Sequence, residues 1–373
     1  MAKREIVPGY TVEIPAPVYF IPLSEKESDE ECARKTAQLL GSSDFNSIIE
    51  EDTLVAVKQH FGESGNNNYI SPANTKVIVD WVKSYKGLPL LVETNTLYKG
   101  QRSDSYHHLE QAYKHGFTYS NVGAPIHILD GVHGQNQHPV AIPGKHFSKV
   151  YMVPDIPFFT SIVVVSHVKG HLLSGMGGAL KNLGMGFSSR AGKLAQHDDF
   201  SPVFDRDKCA RCGLCTTFCP ENALTLSNDG VQLDTEKCIG CGECYTACRY
   251  DAVGFHWAEK GAVFQEKMVE HALGAVIKHC GKVLYINFVN KLSRHCDCWG
   301  EENPVIYPDV GILASYDPVA IDQASCDIAG KVLGKDIFKE LWPAIDASVQ
   351  MKYGEEIGLG TRTYEIIEVT DKE

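Results

Sequence analysis

The sequence predicts an α/β fold, a host domain with a largely parallel sheet, interrupted by a smaller α+β domain. Two observations predict it. Apolar, β-branched runs alternate with helix-period segments in both the first and the last thirds of the chain. Between them, eight of the 13 cysteines fall in one short stretch that follows neither pattern. The expected division is 1–199 and 259–373 for the two parts of the host and 200–258 for the insert.

The elements follow in order. "TLVAVKQ" (Thr53 to Gln59) is a β-branched apolar run and reads as a strand. "SPANTKVIVDWVKSYKG" reads as a helix, with Ser71-Pro72 at its start, apolar positions at Val77, Trp81 and Val82, and Gly87 closing it. "LPLLVETN" is a strand, and "SDSYHHLEQAYKHG" is a helix stopped by Gly116. "SIVVVSHV" (Ser161 to Val168) is a buried strand. Beyond the insert, "KMVEHALGAVIKHCG" and "KVLYINFVN" make a helix and a strand. "DVGILAS" and "DPVAIDQASCDIAGKVLG" make a strand and a helix.

Within the insert, "CARCGLCTTFCP" and "CIGCGECYTACRY" both contain C-x2-C-x2-C-x3-C. Thiolates at this spacing wrap a loop around an iron–sulfur cube, and the fourth cysteine of each run reaches to the other cube. Cys209, Cys212, Cys215 and Cys248 are thus assigned to one [4Fe–4S] cluster, and Cys238, Cys241, Cys244 and Cys219 to the other. The runs are an internal repeat, "DRDKCARCGLC" against "DTEKCIGCGEC". The stretch resembles the bacterial two-cluster ferredoxin module from about Pro202 to Trp257. One departure is Arg249, which stands where the first run has Pro220. Two zinc sites are the alternative use of C-x2-C spacing. They leave the complete second halves of the repeats unexplained.

Ligands of parallel sheets bind beyond the carboxyl ends of the strands. Lys58 and His60 end the first strand, and Glu93, Asn95 and Thr96 the second. His167, Lys169 and His171 end the central one, and Asn287 and Asn290 lie near the end of another. Each alone is an ordinary strand-end residue; together they predict a shared pocket. The glycine-rich "SGMGGALKNLGMGFSSRAGK" matches neither a Walker loop nor G-x-G-x-x-G. A carboxylate or phosphate held by Lys169, Lys181 and backbone amides is the expectation for it, against a purely structural loop. Lys58, His60, Lys169, His171 and Lys181 are therefore the candidate catalytic residues. "HILDGVHGQNQH" brings His127, Asp130, His133 and His138 to a spacing that could bind a metal. Surface histidines on an irregular loop are the simpler reading.

"RHCDCWG" (Arg294 to Gly300) adds two cysteines outside the repeat. Cys296 and Cys298 are candidate ligands of an additional metal or third cluster, with Cys280, Cys326 or His295 completing the set. A reactive thiol or redox pair and buried structural thiols stay open beside that. A relaxed disulfide is not expected, because neighbouring strand positions offer it poor geometry. Cys32 and Cys326 read as core thiols.

The formal charge of −12 argues against a nucleic-acid partner. No apolar run approaches the ~20 residues of a membrane span. The start carries no signal-peptide pattern, so a cytoplasmic location is expected.

The chain resembles the domain of unknown function 362 family in its ferredoxin-containing form. "VKQHFGESGN", "VETNTLYKGQR", "SHVKGH", "GGALKNLGMG", "HCDCWG" and "DVGILASYDPVAIDQA" carry the likeness, from about residue 53 to 325. The resemblance implies an iron–sulfur protein of the cytoplasm, largely from anaerobic microbes, and supplies no reaction. The expected function is a soluble redox protein whose two clusters exchange single electrons with a redox partner protein or small carrier and a host-domain site for an anionic small molecule. A non-enzymatic electron-transfer or assembly subunit, and a metal-handling protein with structural or sensory clusters, are the other readings.

Overall fold

In the computed structural model, residues 2–7, 10–98, 100–197, 202–238, 240–255 and 261–370 are described. Eight strands among them form one sheet: β1 (Ala16–Pro22), β2 (Leu54–Gln59), β3 (Leu88–Glu93), β4 (Ile126–Ile128), β5 (Ser161–His167), β6 (Val283–Val289), β7 (Gly311–Ser315) and β8 (Tyr364–Glu368). Their spatial order is β8-β1-β7-β6-β5-β2-β3-β4. Neighbours run parallel except at β7, which is antiparallel to both β6 and β1. The largely parallel sheet expected from the alternating pattern is present. β5 and β6 are buried at every position, as strands covered on both faces must be.

The covering helices are α1 (Asp29–Leu40), α2 (Pro72–Ser84), α3 (Ser105–Lys114), α4 (Ala179–Gly186), α5 (Arg190–His197), α6 (Ala262–Val276) and α7 (Pro318–Leu333). Side-chain caps set several starts. Ser71 Oγ accepts from Asn74 N ahead of Pro72, and the Asp104 and Asp317 carboxylates do the same for α3 and α7. Cys32, Leu39, Ile78, Val82 and Ala112 from α1–α3 pack one face of the sheet. Leu180, Leu183, Met268, Ala272 and Ile321 from α4, α6 and α7 pack the other.

The chain moves outward from β2 to β3 and β4, then returns to β5 on the other side of β2. The carboxyl ends of β2 and β5 therefore flank a topological switch point, where parallel sheets leave a crevice.

The glycine-rich segment corrects an expectation. Its helix-start amides do not face a free anion site. Ala179 N and Leu180 N donate to the two oxygens of Asp322 on α7, at 2.8 and 2.9 Å. Asn287 Nδ2 donates to the same carboxylate at 2.8 Å, which takes Asn287 away from the crevice. Gly178 is required there, since a Cβ would stand 2.3 Å from Asp322 Oδ1. Asp322→Ala strands the buried N–H groups of Ala179 and Leu180 and leaves Asn287 Nδ2 with Ser325 Oγ alone. It is expected to lower the unfolding free energy by about 3 kcal/mol in urea titrations.

Between α5 and α6 lies the cysteine-rich insert. Pro202–Phe204 pairs antiparallel with Val253–Phe255, and Leu224–Ser227 pairs with Gly230–Leu233. Short helices span Leu214–Thr217 and Glu243–Ala247. Cys215, Leu224, Cys244 and Val253 make a separate small core. The limits expected at 199/200 and 258/259 fall outside the described residues. Among those described, no helix is long and apolar enough to cross a membrane.

Candidate functional site

Beyond β2, β3 and β5, the switch-point crevice opens into a cavity of about 490 Å³, the size of a small-molecule site. Lys58, His60, Lys169, His171 and Lys181 all line it, as do Glu93, Asn95, Thr96 and His167. Asn287 and Asn290 do not. Asn290 turns towards Cys32, and its carbonyl accepts from His167 Nε2 at 2.8 Å. Leu97, Leu172, Leu173, Met185 and Phe264 supply the apolar wall.

Most of the cavity's cations are already paired. Lys58 Nζ lies 2.7 Å from Glu93 Oε1 and donates to Asn182 Oδ1 at 2.9 Å. Burial lowers its pKa against the pull of Glu93. Gly186 makes this approach possible: a Cβ there would stand 2.3 Å from Lys58 Cε. Lys193 donates to Thr94 Oγ1 and Asn95 O, both at 2.6 Å. Arg102, fully buried, lies 3.3 Å from Glu63 and 3.9 Å from Glu93.

Asp297 stands between the two cysteines of the C-x-C pair. Its Oδ1 is 2.6 Å from His167 Nδ1, and its Oδ2 is 3.4 Å from Lys169 Nζ. Burial would raise its pKa, but the His167 and Lys169 charges outweigh burial and hold it well below the usual carboxylate range.

Lys181 is the exception. It makes no hydrogen bond or ion pair among the described residues, and its pKa is pushed down to about 7 by burial and then by Lys169. His60 also offers an unused group. Gly62 N donates to its Nδ1 at 2.9 Å, so the neutral ring carries its proton on Nε2, which is buried and meets no partner. Burial, then Arg102, keeps that ring neutral. His171 stacks on Phe264 with centroids 6.1 Å apart, and its Nδ1 is 2.8 Å from Ser174 Oγ. Among the described residues the cavity thus presents the unpaired Lys181 ammonium and the unpaired His60 Nε2–H, set in an apolar wall. That arrangement suits an anion with an apolar body.

The eight repeat cysteines surround two further cavities. Cys219, Cys238, Cys241 and Cys244 line one; Cys209, Cys212, Cys215 and Cys248 line the other. Ala223 N donates to Cys219 Sγ at 3.2 Å and Ala252 N to Cys248 Sγ at 3.3 Å, equivalent bonds in the two halves of the repeat. Four sulfurs around one space, steadied by amide N–H groups, are the donor set of an iron–sulfur cube, and the residues fit it.

The first of these cages lies against α5. Leu194 lines it, and Gly242 of its loop comes so close that a Cβ would lie 3.6 Å from Arg190 Cγ. Lys193 and His197 of the same helix line the large cavity. One helix, about 10 Å across, separates cage and cavity.

At the C-x-C pair the structure shows a disulfide where metal ligands were the expectation and a redox pair the alternative. Cys296 and Cys298 are joined as a disulfide. They lie in a turn closed by Trp299 N donating to Cys296 O at 2.9 Å, which brings their Cα atoms to 5.2 Å, whereas the expectation assumed strand geometry. In this state neither sulfur is a thiolate for a metal. His295 stacks on Trp299, Cys326 sits on α7, and Thr11 N donates to Cys280 Sγ. Nor does "HILDGVHGQNQH" converge. His127 pairs with Asp155 at 3.3 Å, Asp130 is buried and accepts from Asn95, and His133 and His138 are exposed. Apart from the two cysteine cages, the described residues bring together no group of three or more His, Cys, Asp or Glu that could hold a metal ion.

Sequence reasoning missed Tyr98, Arg102, Lys193, His197 and Asp297 as cavity residues. Only Asp297 carried a signal, a carboxylate fixed between two cysteines.

A profile described as "Domain of unknown function (DUF362)" matches residues 55–327. Over 43 residues, 12% of the chain, the sequence is 46% identical to the pyruvate synthase subunit PorD of Pyrococcus furiosus and 44% identical to that of Pyrococcus horikoshii. The chain spans 41% of the length of these curated relatives. Among solved structures, the lactate racemase apoprotein from Thermoanaerobacterium thermosaccharolyticum aligns with a TM-score of 0.40 and 10% identity, over 73% of this chain and 50% of that one. A protein from Thermotoga maritima aligns with a TM-score of 0.45 and 9% identity, over 83% and 60%.

Proposed function

The chain belongs to the domain of unknown function 362 family, and from that premise we propose that it is an iron–sulfur redox protein serving a cavity for an anionic small molecule. The observation that carries the reading is α5, which has the Cys219/Cys238/Cys241/Cys244 cage on one side and the large cavity on the other. Bound in the two cages, [4Fe–4S] cubes supply one-electron transfer. The chain does the rest. Lys181 draws the anion and His60 Nε2–H hydrogen-bonds it. Leu173, Met185 and Phe264 exclude water around its body. Lys58 and Lys169, fixed by Glu93 and Asp297, keep the field of the site positive without competing for the ligand. Electrons come from a small carrier or a redox partner protein.

The test has two parts. Anaerobically purified protein is expected to hold about eight iron and eight sulfide per chain; a value near zero would sink the redox reading. Small carboxylates and phosphates are then screened for a rise in Tm. Lys181→Ala should abolish that rise while leaving the iron content unchanged. Loss of iron in this variant would remove the separation between cages and cavity on which the reading depends.

The pH dependence follows from Lys181. Its ammonium is charged below about pH 7 and neutral above it. Anion affinity should therefore hold at acid pH and fall about tenfold per unit above pH 7. Lys181→Arg, always charged, should flatten the titration.

The likeness to subunits of pyruvate synthase favours a second reading, a subunit that hands electrons to a partner enzyme. It predicts no ligand in the screen and electron transfer only in the partner's presence.

A further inference from the structure

Cys296 and Cys298 are not spent on stability. A bridge between residues two apart closes a very short loop and restrains the unfolded chain little. The turn that carries the pair is also held without it. Asn66 Nδ2 donates to Cys296 O at 3.4 Å and Trp299 O at 3.2 Å, and Glu63 N donates to Asp297 O at 2.9 Å. The Asp297 carboxylate is anchored by His167 and Lys169. Opening the S–S bond would leave this scaffold standing.

The two sulfurs differ in access. Cys296 is 5% exposed, whereas Cys298 is half-buried and lines the large cavity. A chain of contacts joins Cys298 to the nearer cage. Gly242 packs on Arg190, and Arg190 Nη2 donates to Thr96 O at 3.3 Å. Thr96 Oγ1 donates to Tyr98 O at 2.9 Å, and Tyr98 OH donates to Cys298 O at 3.0 Å.

We infer that the Cys296–Cys298 bridge is a reversible redox centre of the cavity, reduced through the cysteine-rich insert. The inference rests on the redox reading above. The step takes two electrons, supplied singly by an external low-potential one-electron donor, and two protons from solvent in the cavity. The S–S bond breaks, two S–H bonds form, and two equivalents of donor are oxidised. The pair thereby converts single electrons into a two-electron reductant facing the bound ligand.

The experiment reduces anaerobic protein with methyl viologen radical, follows the visible absorbance of the clusters, and alkylates with iodoacetamide under denaturing conditions. The peptide spanning Cys296 and Cys298 is then weighed. The expected result is bleaching of the clusters and gain of two carbamidomethyl groups on that peptide. Cys241→Ser, lacking the nearer cluster, should gain none in the same time; Cys238→Ser serves if that variant does not fold. Bleaching without alkylation in the wild type would overturn the inference and spare the redox reading. Equal alkylation in wild type and in the cluster variants would show direct chemical reduction and also overturn it. No clusters in the wild type would remove the redox reading first.

Discussion

Replacing Cys244 with serine is expected to lower iron and acid-labile sulfide from about eight to about four per chain and to cut electron delivery to the cavity completely. Cys244 is buried at the centre of the insert's small core, with Cys215, Leu224 and Val253. Its cage is the one that touches α5; the Cys209/Cys212/Cys215/Cys248 cage is lined by residues of the insert alone. Cys215→Ser should therefore remove the same amount of iron but leave the nearer cluster in place, reducible by small chemical donors. The two variants are told apart by electron paramagnetic resonance of the remaining cluster. A core this small cannot hold an insert of this size by apolar burial alone. Chelation of all iron should accordingly unfold the insert. Amide exchange would show protection lost between 202 and 255 and kept in β2, β5 and β6.

The second large effect is expected at Asp297. Its carboxylate is the shared counter-ion of His167 and Lys169, and Lys169 is left with only backbone and water to offset its charge when the carboxylate is gone. Asp297→Ala should destabilise the protein by about 3–5 kcal/mol, the cost of breaking a buried pair from one side. Urea titration at neutral pH measures it. The pH dependence has a defined sign. The folded pKa of Asp297 lies below the unfolded value of about 3.9, because the cationic partners outweigh burial. Its contribution is thus fully present above that value and is lost as pH falls towards the folded pKa. The stability gap between wild type and variant should be wide at pH 7 and narrow steadily in strong acid.

Much of the host was legible because its strands are short, unbroken β-branched runs: "VVVSH" and "LYINFV" have no other stable use than a covered strand. The crossovers were legible from Ser71-Pro72 and Asp317-Pro318, which cap helices by side-chain chemistry. β1 and β8 were not read, since the prolines at 15, 17 and 22 mask β1 and β8 is mostly exposed. The five lysines and histidines at strand ends were found because register sends strand ends to one edge. Register does not say which side chain turns inward. Asn287 was misplaced because a helix 35 residues away in sequence supplies Asp322, a partner that local pattern cannot reveal. The disulfide was not foreseen because strand pairing before the C-x-C pair ends at Ser293, and the turn that follows sets another geometry.

α5 ties the cavity to the nearer cage. Its residues face the cavity on one side and the nearer cage on the other, so a molecule that settles against Lys193 or His197 must disturb the surroundings of that cage. With clusters bound as proposed, the protein carries its own reporter. A shift in the magnetic spectrum of the nearer cluster, with the remote one unchanged, would register occupancy of the cavity by any compound. Candidate ligands could then be sorted before a single turnover has been seen.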